Sequence, residues 1–432
     1  MTEWKEYKLR DLFKGTKSGD WGKDSPEGNY VEEVTCLRGA DIPATNLQEI
    51  NKAPTRYISE KNFSERRLSV GDLMIEMSGG SPTQSTGRIA YISQNVLDLY
   101  NSRLICSNFC KVLQVNSNLI DSSFTYYLWV YLYNKRLFFS YENGTNGLKN
   151  LFLDAVLDYE SVNIPKDLYE QKKIALQLSE IDDKIAVNRK ICRNLEAQAQ
   201  ILFKHWFVDF APFKDGKFVE SELGLIPEGL VYKRIEDIPH TLETGKRPSG
   251  GVKGIDRGIP SIGAENIKGL GCYDFSKTKY ITEEYASTMK KGIINGYELL
   301  IYKDGGKPGY FIPNFAIFGE GYPYDKMCLN EHVFKLDFGN KGYSLFAYFY
   351  FKTKQIMSYL NAQGAKAAIP GINSKDIDAI MMPSLDNECV KQYCSEVEDF
   401  ITQILVLGKE SSRLASLRDT LLPKLMSGQI KL

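Results

Sequence analysis

Histidine is nearly absent from this chain: three occur in 432 residues, at 205, 240 and 332, too far apart in sequence to suggest a shared site. None of the eight cysteines falls in a CxxC pair; the nearest are Cys106/Cys110 and Cys389/Cys394. Buried reduced thiols are therefore expected, and a metal site is not. No run of eighteen apolar residues exists to cross a membrane. The opening "MTEWKEYKLRDLF" carries charges where a signal peptide has its apolar stretch, so a cytoplasmic location is expected. There is no Pro-Pro to build the Asn/Asp-Pro-Pro-aromatic loop of an adenine methyltransferase. "GGKPG" (305–309) lacks the hydroxyl that a phosphate-binding loop places on magnesium. "EYK" at Glu6–Lys8 lacks the upstream aspartate of a nuclease motif. Net charge is zero, which neither argues for nucleic acid nor against it, because a local basic face can hide in a neutral total.

What is present is a sequence written twice. "YKLRDL" (7–12) matches "YKRIEDI" (232–238), and "LRGADI" (37–42) matches "SIGAENI" (261–267). "VGDLMI" (70–75) matches "NGYELLI" (295–301), each followed by a glycine-rich turn, "SGGSPTQSTGR" or "KDGGKPGY". Further on, "GTNGLKNLFLDAVLDYESVNIP" (144–165) matches "GAKAAIPGINSKDIDAIMMP" (364–383), and "SEIDDKI" (179–185) matches "SEVEDFI" (395–401). The order is conserved at offsets of about 216 to 226 residues, far beyond the 20–50 of a solenoid repeat. A large unit is duplicated in tandem.

Each unit is expected to hold a mixed α/β (α+β) head of short β-branched and aromatic runs, then one long helix. In the first helix Ile174, Leu178, Ile181, Ile185, Asn188, Cys192, Leu195, Ala199, Leu202 and Trp206 recur at alternating 4 and 3 spacing. In the second, Val397, Ile401, Ile404, Leu407, Ser411, Leu414, Leu417, Leu421 and Leu425 form a seam with a stutter near Leu407. Two such stripes are most simply covered by each other as an antiparallel, coiled-coil-like pair; the plainer alternative packs each helix on its own head. Asn188 is either a register device or a packing defect. Two unlike heads on a rigid spacer suit bipartite reading of duplex DNA, whose two-fold dimeric readers exploit.

These strings carry a resemblance. "EQKKIALQLSEIDDKI" (170–185), "LEAQAQILFKHWFVDFAPF" (195–213), "ESELGLIPEGL" (220–230) and "RLASLRDTLLPKLMSGQI" (413–430) resemble the specificity subunits of type I restriction-modification systems, in the same order along essentially the whole chain. The resemblance implies a first target-recognition domain (1–166), a conserved spacer helix (167–210), a linker (211–228), a second target-recognition domain (229–384) and a second spacer helix (385–432). It further implies a non-catalytic reader of a bipartite, asymmetric target in double-stranded DNA, assembled with two methylation subunits and with restriction subunits. No cofactor is expected on this chain; S-adenosylmethionine, ATP and magnesium belong to the partner subunits. Two rivals stay open: the specificity component of a system in which one partner both cuts and methylates, and a coiled-coil adaptor with no role on DNA.

Candidate DNA contacts lie on the glycine-flanked loops: Ser81, Gln84, Ser85, Thr86 and Arg88 in the first head, Lys303 and Lys307 in the second. Arg103, Asn146, Lys149, Lys246, Arg247 and Lys366 are further candidates, each weighed against a solvated surface turn. Trp206, Phe207 and Leu425, in the two helix tails, are candidates for docking a methylation subunit or for sealing the helix pair.

Overall fold

The computed structural model describes residues 3–50, 52–81, 84–145, 148–305, 309–366 and 369–432. It divides into two units, one made of Met1–Val187 and Arg413–Leu432, the other of Asn188–Ser412. Among the described residues no helix is long and apolar enough to cross a membrane.

The duplication reappears in three pairs of corresponding sheets. In the first unit Trp4–Lys8 pairs with Ser161–Pro165, and in the second Tyr232–Arg234 pairs with Met381–Pro383. A four-stranded sheet of the first unit runs in the order Phe13–Ser18, Cys110–Val115, Leu73–Glu76, Ile89–Tyr91. Its counterpart runs Thr241–Thr244, Val333–Asp337, Leu299–Tyr302, Phe315–Ala316. A three-stranded sheet sets Tyr30–Leu37 between antiparallel Thr55–Ser59 and parallel Leu104–Cys106; Ile259–Ile262 lies between Lys279–Ile281 and Cys328–Leu329 in the same sense.

The apolar runs of the sequence follow from where these strands sit. Leu73, Met74, Ile75 and Glu76 are all buried because core covers both faces of their sheet. Leu73 and Ile75 point to one core, Met74 to another, as strand alternation requires. Leu299 and Ile301 divide from Leu300 in the same way. Over the first sheet lies the helix Ser122–Asn134, capped by Asp121, whose carboxylate accepts from the Ser123 and Phe124 amides. Its Trp129 stacks on Phe138 at 4.8 Å and donates to the Gly87 carbonyl at 2.8 Å.

The two long helices are Leu168–Phe207 and Glu388–Met426. They pair antiparallel, since partner numbers run in opposite directions within each unit. In the first unit Arg418 donates to Asp182 at 2.6 Å, and Ile174 and Leu178 share a core with Leu422, Leu425 and Met426. In the second, Asn188 meets Glu410 at 2.7 Å, and Tyr393 donates to the Ala199 carbonyl at 3.0 Å. Each helix also packs on a head, so both coverings anticipated for the stripe operate together. The fully buried Asn188 reaches a carboxylate through Nδ2, while its Oδ1 has no partner among the described residues.

The seam itself needs correction at two places. Phe203 and Phe207 are buried, whereas Leu202 and Trp206 are only half-buried. Leu417 is 48% exposed, and its neighbour Arg418 turns toward the partner helix instead. A strict 3.5-residue repeat drifts about 20° per heptad on a straight helix, so the buried face moves off the repeat over its length.

Candidate nucleic-acid interface

In the first unit the sheet strand Leu73–Glu76 leads into Ser78–Gly79, which pairs with Leu148–Leu151, itself paired with Glu142–Thr145. The result is a short ribbon with two distinct faces. Inward, Glu142 accepts from the Thr86 amide at 2.8 Å and the Thr86 hydroxyl at 3.0 Å, and forms an ion pair with Lys149. Outward, Asn143 and Asn150 are exposed, directly opposite each other, and Asn150 in turn lies opposite Ser78. Below the ribbon, the nearly buried Glu76 takes Arg88 through two hydrogen bonds, at 2.6 and 2.9 Å. Gly79 is needed there: a Cβ on it would lie 2.4 Å from the Glu76 carboxylate.

Several residues picked from the sequence therefore hold this loop together. Thr86 is fully buried, and Ser85, 2% exposed, donates its hydroxyl to the Thr86 carbonyl at 3.0 Å. Ser81 is half-buried and Gln84 exposed. Arg88 and Lys149 are bound to Glu76 and Glu142, and Arg103 is bound to Glu32 at 2.5 Å beneath the Phe63 ring. Asn146 lies outside the described residues. Sequence reasoning passed over Arg136, which is exposed at a left-handed backbone position (φ 61°) and shares the Phe139 ring with Lys149. It also passed over Asn143 and Asn150; the Asn-Gly in "ENGTNGLKN", the dipeptide that two-residue hairpins favour, is the signal that marks them.

Burial opposes the charge on Glu142, yet Lys149 and Thr86 hold its carboxyl below the ordinary carboxylate range. A lowered folded value stabilises the fold above the unfolded pKa of about 4.3, and that contribution is lost as pH falls through the folded value. Lys149→Met should therefore lower stability at neutral pH and move the acid-induced loss to higher pH. Unfolding midpoints of both proteins across an acid series test this, and parallel curves contradict it.

The corresponding point of the second unit carries charge rather than amides. After Leu299–Tyr302, Lys303 donates to the Glu331 carbonyl at 3.3 Å and lies over the Phe334 ring at 5.3 Å. Arg247 meets the Glu331 carboxylate at 3.4 Å. His332 bonds Asp304 through Nδ1 and faces Glu331 at 3.2 Å through Nε2. Two of the predicted cations thus converge on Glu331, whereas Lys246 and Lys366 stand exposed, the latter bonded to Gln363 at 2.7 Å. Lys307 lies outside the described residues. No group of three or more His, Cys, Asp or Glu suited to a metal ion occurs among the described residues.

At the helix tails Phe207 packs edge-on against Phe346 at 5.0 Å and Tyr393 at 5.6 Å, and Leu425 is 1% exposed in the first unit's core. Both seal their own units. Trp206 is half-buried against Tyr393. Beside Phe207 opens a groove of about 750 Å³ lined by Ile201, Lys204, Val208, Leu225 and Tyr350 among others; Ile201 and Leu225 are 68% and 60% exposed.

Comparison with known proteins finds similarities of sequence and of fold. Residues 1–197 match the type I restriction modification DNA specificity domain. The chain is 25% identical to the type I restriction enzyme MjaIX specificity subunit of Methanocaldococcus jannaschii, over 99% of this chain and 94% of that one. It is 22% identical to the HindI specificity subunit of Haemophilus influenzae over the full length of both. The fold is similar to the crystal structure of a type I restriction-modification S subunit from M. genitalium, with TM-score 0.52 and 15% identity over 98% and 96% of the two chains.

Proposed function

Since residues 1–197 match the type I restriction modification DNA specificity domain, we propose that the whole chain is the sequence-reading subunit of such a system. Each head reads one half of a bipartite target in double-stranded DNA, and the paired helices set the gap. The observation that carries this is that two heads sharing three corresponding sheets present different chemistry at the same point: amides on a ribbon in the first, a cluster of Lys303, Arg247, Glu331 and His332 in the second. Equal frames with unequal surfaces suit two different half-sites.

The chain itself is non-catalytic on this reading. Methylation comes from two partner subunits carrying S-adenosylmethionine, and cleavage from restriction subunits using ATP and magnesium, all in the cytoplasm. The exposed apolar side chains Ile201, Val208 and Leu225 beside Phe207 are the docking face for a methylation subunit.

Methylome sequencing of cells carrying the chain with its methylation subunits should return a two-part motif with a fixed gap. Because the helices pair antiparallel, the gap is lengthened by inserting one heptad into each, after Val187 and after Ser412. The gap should then grow by no more than about three base pairs, from 1.5 Å per helical residue and 3.4 Å per base step, with both half-sites intact. Altered half-sites would contradict the ruler. An adaptor with no DNA role would show no salt-dependent gel shift in the assembled complex.

A further inference from the structure

We infer that the outer face of the first head's ribbon is its base-reading surface, and that Asn143 and Asn150 determine the first half-site there. The inference rests on the DNA-reading function proposed above and assigns its residues.

The major groove admits a two-stranded β-ribbon, and amide side chains read base edges in it. Asn143 and Asn150 are directly opposed on the two longer strands of this ribbon, whose third strand is only the two residues Ser78–Gly79. Opposed side chains have their Cβ atoms roughly 5 Å apart, a spacing that addresses neighbouring base pairs. The inner face is closed to this task, because Glu142, Lys149 and Thr86 consume one another's polar groups. The outer face is the one left to the ligand.

The two amides are not equivalent. Asn150 accepts from the Ser78 hydroxyl through Oδ1, which leaves its Nδ2 to act as a donor. A donor suits the acceptors of the groove: purine N7, guanine O6 or thymine O4. Asn143 makes no side-chain hydrogen bond among the described residues, so it has both an acceptor and a donor to offer. That pair matches adenine, which presents N6–H₂ and N7 together. Arg136, exposed beside the ribbon on the Phe139 ring, is placed for a phosphate that would set the register.

The test uses the full chain assembled with its methylation subunits. The wild-type motif is first obtained by methylome sequencing; absence of any motif overturns the DNA-reading function and this assignment with it. Given a motif, Asn143→Ala should relax preference at one adenine of one half-site by roughly tenfold to a hundredfold in competition gel shifts, leaving the other half-site and the gap unchanged. Asn143→Asp keeps the shape but only accepts, and should shift preference at that position toward cytosine, whose N4 donates. Arg136→Ala should weaken binding to all sequences alike and lower the salt slope by about one. An unchanged motif in both Asn143 variants, or a uniform loss across sequences without relaxation at any base pair, overturns the assignment.

Discussion

Phe203→Ala should lower the stability of the second unit by about 3–5 kcal/mol, the range for removing a large aromatic from a close-packed core. Phe203 has no exposed surface and touches four aromatic rings, those of Phe207 at 5.1 Å, Phe346 at 5.2 Å, Tyr350 at 6.2 Å and Tyr393 at 5.4 Å. Those rings come from the first long helix, the helix Lys341–Phe351 and the second long helix, so one side chain anchors three elements. Ile201, two residues earlier and 68% exposed, is the matching control; its loss should cost under about 0.5 kcal/mol. A chain of two units need not unfold in one step, so the measurement is the denaturant midpoint of the transition that moves. Equal effects from the two substitutions would mean that the cluster does not anchor the helix.

Arg88→Met should be about as damaging, by a different route. The Glu76 side chain is 3% exposed and that of Arg88 19%, and the two form a pair of hydrogen bonds beneath the glycine turn. Removing one member of a buried pair leaves an uncompensated charge, which costs about 3–5 kcal/mol. Replacing both, as Glu76→Leu with Arg88→Met, should recover most of the loss, because a well-packed apolar pair has no charge to desolvate. The same variant separates two roles for this arginine. Held by Glu76, it should leave the salt dependence of DNA binding unchanged; a contact to phosphate would instead lower the slope by about one.

Sequence legibility followed the range of the interactions involved. The duplication could be read because core strands such as Leu73–Glu76 and Leu299–Tyr302 must be apolar on both faces in each copy. The long helices could be read because a stripe maintained over many turns has few other meanings. The exact buried face was less legible: Phe203 and Phe207 lie one position beyond Leu202 and Trp206, and helix drift together with packing on a head selects them. The loop was harder still. "SPTQST" has the composition of a solvated turn, yet Thr86 is buried because Glu142, about sixty residues later, is carried back beside it by strand pairing. Arg247 and Glu331, and Asp304 and His332, likewise meet through folding that no local pattern announces.

The antiparallel pairing also sets a timetable for synthesis. Ile174 and Leu178 bury themselves partly against Leu422, Leu425 and Met426, which the ribosome adds only after the whole second head. At about 5–20 residues per second, the roughly 240 intervening residues take on the order of ten to fifty seconds. Throughout that interval the first unit lacks its closing segment and leaves an apolar strip open, so the part of the protein begun first is among the last to be completed.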